Sequence, residues 1–375
     1  MKIGILSMQR ILNYGSFFQA YSLKTMLESL GHDVVFVDYK IDWTIETRRY
    51  YTKVSLAHLR MLKRMLFHRH NYEIVKSNPS YKYFLVSYKK LGLSSKYHFR
   101  TPVDILVIGS DEVFNCLQNN EDVGYSLELF GKNNRAKKLM SYAASFGNTT
   151  LESLNYYGVS KEIRHYLKRF DAISVRDQNS AAIITGLCGI TPYQHFDPAL
   201  IGNLENMKWT DCSIDHFMVV YGYIHRFTDE EGSVIMSFAR KKHLKVIILN
   251  APQSFGDEFI LCSPDEVLGY FSKAEYVVTD TFHGTIFSVI FHKHLAIFCR
   301  TEKDTFYSNS NKLIDLIDKL GLRSQLVKAP HDLENILCQE IDYDAVDQVR
   351  AVERERAIAY LKKECGEVNG IKTSM

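Results

Sequence analysis

No run of apolar residues in this chain approaches the ~20 needed to cross a bilayer. Met1 is followed only by Lys-Ile-Gly-Ile-Leu, too short an apolar stretch for a signal peptide. Cysteine is thin as well: seven residues, an odd number, with no C-x-x-C pair and no close Cys/His spacing. A structural zinc site is therefore not expected, and the thiols point to a reduced compartment. A net charge of +3 over 375 residues gives the chain as a whole no electrostatic hold on a nucleic-acid backbone, so any anion site must be local. There is no internal repeat and no low-complexity tract. These absences leave a soluble, cytoplasmic protein as the expectation.

What is present is core-forming material. Apolar residues make up 46% of the chain and aromatics 13%, enough at this length for two domains and a cleft. Residues 2–8 and 33–39 read as buried strands, with room for one crossover helix between them. The helix is expected to start at Ser16, with Gln19 completing a capping box, and to stop at Gly31. Its apolar face is Ala20, Leu23, Leu27 and Leu30. Further strands are expected at 104–110, 138–146 and 171–176, then a second alternating series from 217–224 and 245–251 onward. Ser263-Pro264-Asp265-Glu266 is a strong helix start.

The segment 42–100 is read as helices inserted into the first domain. The polar stretch 202–216 is the most linker-like point. The expected domains are residues 1–205, residues 206–340 and a C-terminal helix within 341–375 that packs back on the first. The fold class is α/β, two Rossmann-like domains facing a cleft.

In parallel sheets ligands gather beyond the carboxyl ends of the strands. Three strand ends stand out. At Asn13-Tyr14-Gly15-Ser16, glycine permits close backbone approach and a helix begins whose N–H groups suit an anion. The alternative there is a tight turn and cap, and the segment is no G-x-G-x-x-G fingerprint. At Gly109-Ser110-Asp111-Glu112, Asp111 is placed to orient a hydroxyl, or else to cap the following turn. At Thr279-Asp280-Thr281-Phe282-His283-Gly284, His283 opens a helix, where the dipole favours a neutral imidazole or a nearby anion. A structural histidine is the alternative. Arg176, ending the expected strand 171–176, carries a planar fork suited to carboxylate or phosphate, with a salt bridge to Asp177 or Asp171 as its structural alternative. Lys303 offers a mobile positive charge, or is simply solvated.

Together these segments resemble the polysaccharide pyruvyl transferase family, over most of residues 1–322. The carrying pieces are NYGSFFQAYSL at 13–23, VIGSDEVFN at 107–115, SYAASFG at 141–147, FDAISVRD at 170–177, FDPAL at 196–200 and YVVTDTFHGTIFSVIF at 276–291. The resemblance implies a fold similar to the GT-B glycosyltransferases, with phosphoenolpyruvate as donor and no redox or metal cofactor. The product is a ketal-linked pyruvate on a polysaccharide or lipid-linked glycan. It implies His283 as general acid/base with Asp111 beside it as a catalytic residue. Arg176, Lys303, Gly15, Ser16, Thr281 and Gly284 form the implied donor-binding set, and Asn13, Tyr14 and Asp197 the acceptor-binding set. One departure is visible: Thr281 stands where many members carry arginine, so Lys303 or Arg300 would have to supply that charge.

Two other functions fit the same fold reading: a GT-B-type glycosyltransferase using a nucleotide sugar, and a non-catalytic glycan-binding protein. Residues 48–70 hold Arg48, Arg49, Lys53, Arg60, Lys63, Arg64 and Arg69 with no acid, interleaved with apolar residues. This pattern fits a helix lying on an anionic membrane face, or an ordinary solvated helix with one apolar side.

Overall fold

The computed structural model describes residues 1–52, 80–94, 96–118, 120–300 and 310–366. The chain divides into two compact units, one formed by Met1–Pro198 with Glu355–Met375 and the other by Ala199–Arg354.

The first unit is built on six parallel strands: β1 (Lys2–Leu6), β2 (Asp33–Phe36), β3 (Ile105–Asp111), β4 (Lys138–Ala144), β5 (Ser174–Val175) and β6 (Tyr193–Gln194), in the order β2-β1-β3-β4-β5-β6. The central strands read as unbroken apolar runs because both faces are covered, and β3 is buried along its whole length. At Gly109 the chain adopts φ +124°, and a Cβ there would stand 2.2 Å from the Tyr142 carbonyl oxygen of the neighbouring strand, so only glycine fits. Behind the sheet, Phe114, Phe130 and Phe146 pack together, with Phe114 and Phe130 stacked at 4.9 Å.

The second unit carries β7 (Phe217–Tyr221), β8 (Lys245–Leu249), β9 (Glu258–Ile260), β10 (Tyr276–Thr279), β11 (His294–Phe298) and β12 (Leu326–Val327), again all parallel, in the order β12-β11-β10-β7-β8-β9. Read from the β9 edge this is the Rossmann order 3-2-1-4-5-6, whose direction reverses between β7 and β10. In the first unit the reversal lies between β1 and β3.

Three sequence expectations are corrected. The first helix runs Tyr14–Ser29 and is capped by Asn13, whose side chain accepts from Ser16 N; Ser16 is thus inside the first turn. Gln19 does not close a capping box, because its amide turns inward to Ser7 Oγ and Ser16 O, both at 2.9 Å. The domain boundary falls after Pro198 instead of after 205. Residues 199–206 stay with the second unit because Arg350 binds them, donating from Nε to Leu200 O at 3.1 Å and pairing with Glu205 at 2.9 Å.

The last helix, Tyr343–Cys365, is no separate domain, since the division between units falls inside it. Its end belongs to the first unit, where Tyr360 donates to Ser141 O at 2.8 Å and Glu364 pairs with Lys138 at 2.7 Å. Within the expected insertion the helices Ile45–Thr52 and Tyr81–Leu91 are present, whereas most of the basic stretch 48–70 lies outside the described residues, as does Lys303. Among the described residues no helix is long and apolar enough to cross a membrane.

Candidate active site

The reversal point of the second sheet is occupied by the turn after β10. Thr281 is extended (φ −120°) and caps the helix Phe282–Ile290, accepting from Gly284 N at 2.9 Å. Thr279 braces that cap, donating to Tyr221 O at 2.7 Å and lying 3.1 Å from the Thr281 hydroxyl. Gly284 is required here by space: a Cβ would come within 2.2 Å of Thr279 Oγ1 and 2.6 Å of Thr281 Oγ1. His283 is consequently the second residue of a helix that starts at the carboxyl end of a central strand. It is half-buried, with its ring edge-to-face to Phe282 at 5.3 Å and tilted against Phe287 at 6.2 Å. Such a position sets a half-buried imidazole, its Nε2 turned away from solvent, at the positive end of a helix.

Beneath it lies Asp280, completely buried. Its carboxylate is met by Arg226 Nε at 3.0 Å and by Arg300 Nε at 3.4 Å. Burial pushes the Asp280 carboxyl above the usual range, against the pull of Arg226 and Arg300 and the Tyr223 backbone N–H. Arg300 is held in turn by a two-pronged pair with Glu231 at 2.7 and 3.0 Å. Nothing in the local pattern of the sequence marks Arg226. It lies in the loop after β7, and its partner is brought to it by the pairing of β7 with β10.

The reversal point of the first sheet gathers the other expected residues. Ser16 donates to Asp111 Oδ2 at 2.7 Å, and Asp111 Oδ1 accepts from Glu112 N at 2.9 Å, so Asp111 supports its own turn at φ +76° as well as the helix start. Asn13 is held as the helix cap, and Tyr14 is buried with its ring stacked on Phe84 at 5.2 Å. Gly15 is buried in the same first turn.

Arg176 and Asp197 differ from expectation. Arg176 is 3% exposed and pairs with Asp197 at 2.5 Å and with Asp111 at 3.8 Å, not with Asp177 or Asp171. Asp177 instead caps the next helix through Ser180 N, and Asp171 accepts from Leu139 N. Burial works against the Arg176 cation, but Asp197, Asp111, Asp177 and Glu112 outweigh it and hold its pKa above the ordinary range. Asp197, whose side chain is sealed from solvent, also accepts from Ser110 Oγ at 3.2 Å. This pair ties the ends of β3, β5 and β6 together. Among the described residues no group of three or more His, Cys, Asp or Glu is arranged to hold a metal ion.

A family model for polysaccharide pyruvyl transferase matches residues 13–298. No curated protein matches the sequence. Among solved structures, the chain is similar to Methanocaldococcus jannaschii UDP-GlcNAc 2-epimerase in complex with UDP-GlcNAc and UDP (9% identity, 94% of this chain and 99% of that one, TM-score 0.48). It is also similar to S. aureus MnaA with UDP (10%, 100% and 99%, 0.45) and to the calicheamicin glycosyltransferase CalG4 (12%, 98% and 99%, 0.44).

Proposed function

Given that this chain belongs to the polysaccharide pyruvyl transferase family and is an enzyme of that type, we propose that it moves pyruvate from phosphoenolpyruvate to two hydroxyls of a polysaccharide or lipid-linked glycan. The observation that carries this reading is the position of His283, at the start of a helix on the carboxyl end of β10, where the sheet order reverses. The donor bears a phosphate and a carboxylate. The first turn of the helix Phe282–Ile290, with Thr281 and Gly284 at its start, is suited to receive such an anion.

The reaction balances in two additions. His283 as imidazolium gives a proton to the methylene carbon of phosphoenolpyruvate, which makes the neighbouring carbon electrophilic. One sugar hydroxyl adds there and yields its proton to the imidazole. Phosphate then leaves with the bonding electrons of its C–O bond, and the second hydroxyl closes the cyclic ketal, releasing the second proton. Proton transfer by a placed histidine is worth ~10²- to 10⁴-fold in rate. Asp111, fixed by Ser16, is suited to orient an acceptor hydroxyl.

The test is incubation of the full chain with phosphoenolpyruvate and candidate glycans, read by phosphate release and mass spectrometry. A glycan heavier by pyruvic acid less water is the expected product. Release of a nucleoside phosphate from a nucleotide sugar, with no phosphate from phosphoenolpyruvate, would overturn the reading in favour of glycosyl transfer.

A further inference from the structure

Asp280 has no part in the chemistry assigned above, yet it occupies the centre of the corner that carries it. It follows the last residue of β10 and precedes Thr281, the cap of the helix that presents His283. Its partners come from the two strands that flank β10: Arg226 from the loop after β7, at 3.0 Å, and Arg300 from just beyond β11, at 3.4 Å. Each guanidinium is itself fixed. Arg226 lies 5.3 Å over the Tyr223 ring, while Arg300 lies 5.2 Å from both the Phe227 and Phe298 rings and grips Glu231 with two hydrogen bonds. Glu231 is committed in turn to the start of another helix, accepting from Thr228 N at 2.9 Å. The corner therefore holds two acids and two cations, all at least nine-tenths buried, joining three adjacent strand ends and one further helix start. A shift of any one strand end would be transmitted to the residue next to the cap.

We propose that Asp280 is a positioning residue of the reaction: through Arg226 and Arg300 it locks the turn after β10, and so fixes the orientation in which Thr281 and its helix hold His283. The inference rests on the function proposed above for its kinetic consequences, but not for its structural ones. A group placed this way acts on the step that needs an aligned imidazole and leaves donor affinity largely alone.

The experiment compares Asp280→Asn, which keeps shape and removes the charge, with Arg226→Lys, which keeps charge and removes the fork, and with the double variant Asp280→Asn/Arg226→Gln, which removes one anion and one cation together. Asp280→Asn is expected to lower kcat for phosphate release from phosphoenolpyruvate by ten- to a hundredfold with donor KM changed less than threefold. The double variant should recover part of that loss, because charge balance returns. In parallel, the ring signal of His283 in histidine-labelled protein, assigned from the missing peak of His283→Gln, should move in Asp280→Asn and in Arg226→Lys. A raised KM with unchanged kcat, or an unmoved His283 signal in folded Asp280→Asn and Arg226→Lys proteins, overturns the proposal. If the wild type releases no phosphate from phosphoenolpyruvate, the functional reading fails by itself, and the His283 signal alone decides for or against positioning. Should Asp280→Asn fail to fold, Arg226→Lys carries both readouts.

Discussion

Lowering the pH should loosen the first unit through one residue, His195. Its ring is 4% exposed and enclosed by Tyr142 at 5.7 Å, Tyr193 at 6.2 Å and Tyr360 at 4.7 Å. Its Nδ1 lies 2.7 Å from Ser174 Oγ, a hydroxyl that already accepts from Ala143 N and so has its own proton to give to a neutral ring. Burial, with Arg356 adding to it, pushes the imidazole pKa down from 6.5 to about 4. The folded-state value lies below the unfolded one, so the unfolded chain takes the proton first as pH falls. This contribution is whole above the unfolded pKa of 6.5 and is lost as pH falls towards about 4. The loss between pH 7 and pH 5 amounts to about 2 kcal/mol, and below the folded pKa it reaches about 3 kcal/mol. His195→Phe keeps a ring among the tyrosines and cannot titrate. Hydrogen exchange of peptides from β4 and β6, corrected for intrinsic rates, should therefore show the first unit of the wild type losing about 2 kcal/mol more protection than the variant over that pH interval. Equal losses in the two proteins would refute the reasoning.

Three other outcomes follow from the geometry. His283→Ala should reduce phosphate release by ~10²- to 10⁴-fold with circular dichroism unchanged, and near wild-type turnover would remove His283 from the chemistry. Gly284→Ala forces a methyl group to within 2.2 Å of Thr279 Oγ1, so it should cost about 1–3 kcal/mol in urea unfolding of the second unit; a neutral result would mean the cap is not packed as described. Arg176→Met leaves Asp197 and Asp111 facing each other in a buried site and should destabilise the first unit by about 3–5 kcal/mol. That loss should shrink as pH falls and the carboxylates take up protons, whereas a pH-independent loss would point to packing alone.

What was legible in the sequence follows the physics of burial. Strands covered on both faces, such as β3 and β4, announce themselves as apolar runs and were expected within a residue or two of their ends. β6 and β12 have two residues each and β9 three, too short to show any period. Capping chemistry was legible where one reading dominated, as at Ser263, whose box with Glu266 is present. It misled where two cap formers stood close together: Asn13 took the role expected of Ser16, and Gln19 turned to Ser7 and to the Ser16 carbonyl instead of closing a capping box. Roles that depend on a distant partner were beyond reach. The pair of Arg176 with Asp197 was not foreseen, since it is the pairing of β5 with β6 that brings the two together.

The two units, each taken alone, arrive at the same device. In the first, Asp111 at the end of β3 faces Arg176, which follows β5; in the second, Asp280 beyond β10 faces Arg226, which follows β7. Parallel sheets make this a recurrent need, since every strand end delivers its next residue to one edge, where loops must leave and helices must start without sealing the edge against ligands. A buried carboxylate between arginines is a poor source of net stability, because desolvation offsets most of the attraction. It is a good source of definition, because a forked cation accepts its partner in few orientations. Apolar packing would stabilise those corners as well and would leave the turns freer. The presence of charge there is therefore better explained by the need to hold His283 and Asp111 in one orientation than by a need for stability. Replacing Asp280 and Arg226 together by Leu and Met should accordingly keep the unfolding midpoint within about 1 kcal/mol of wild type while phosphate release falls at least tenfold; a variant that keeps both stability and turnover would leave the charges without a function.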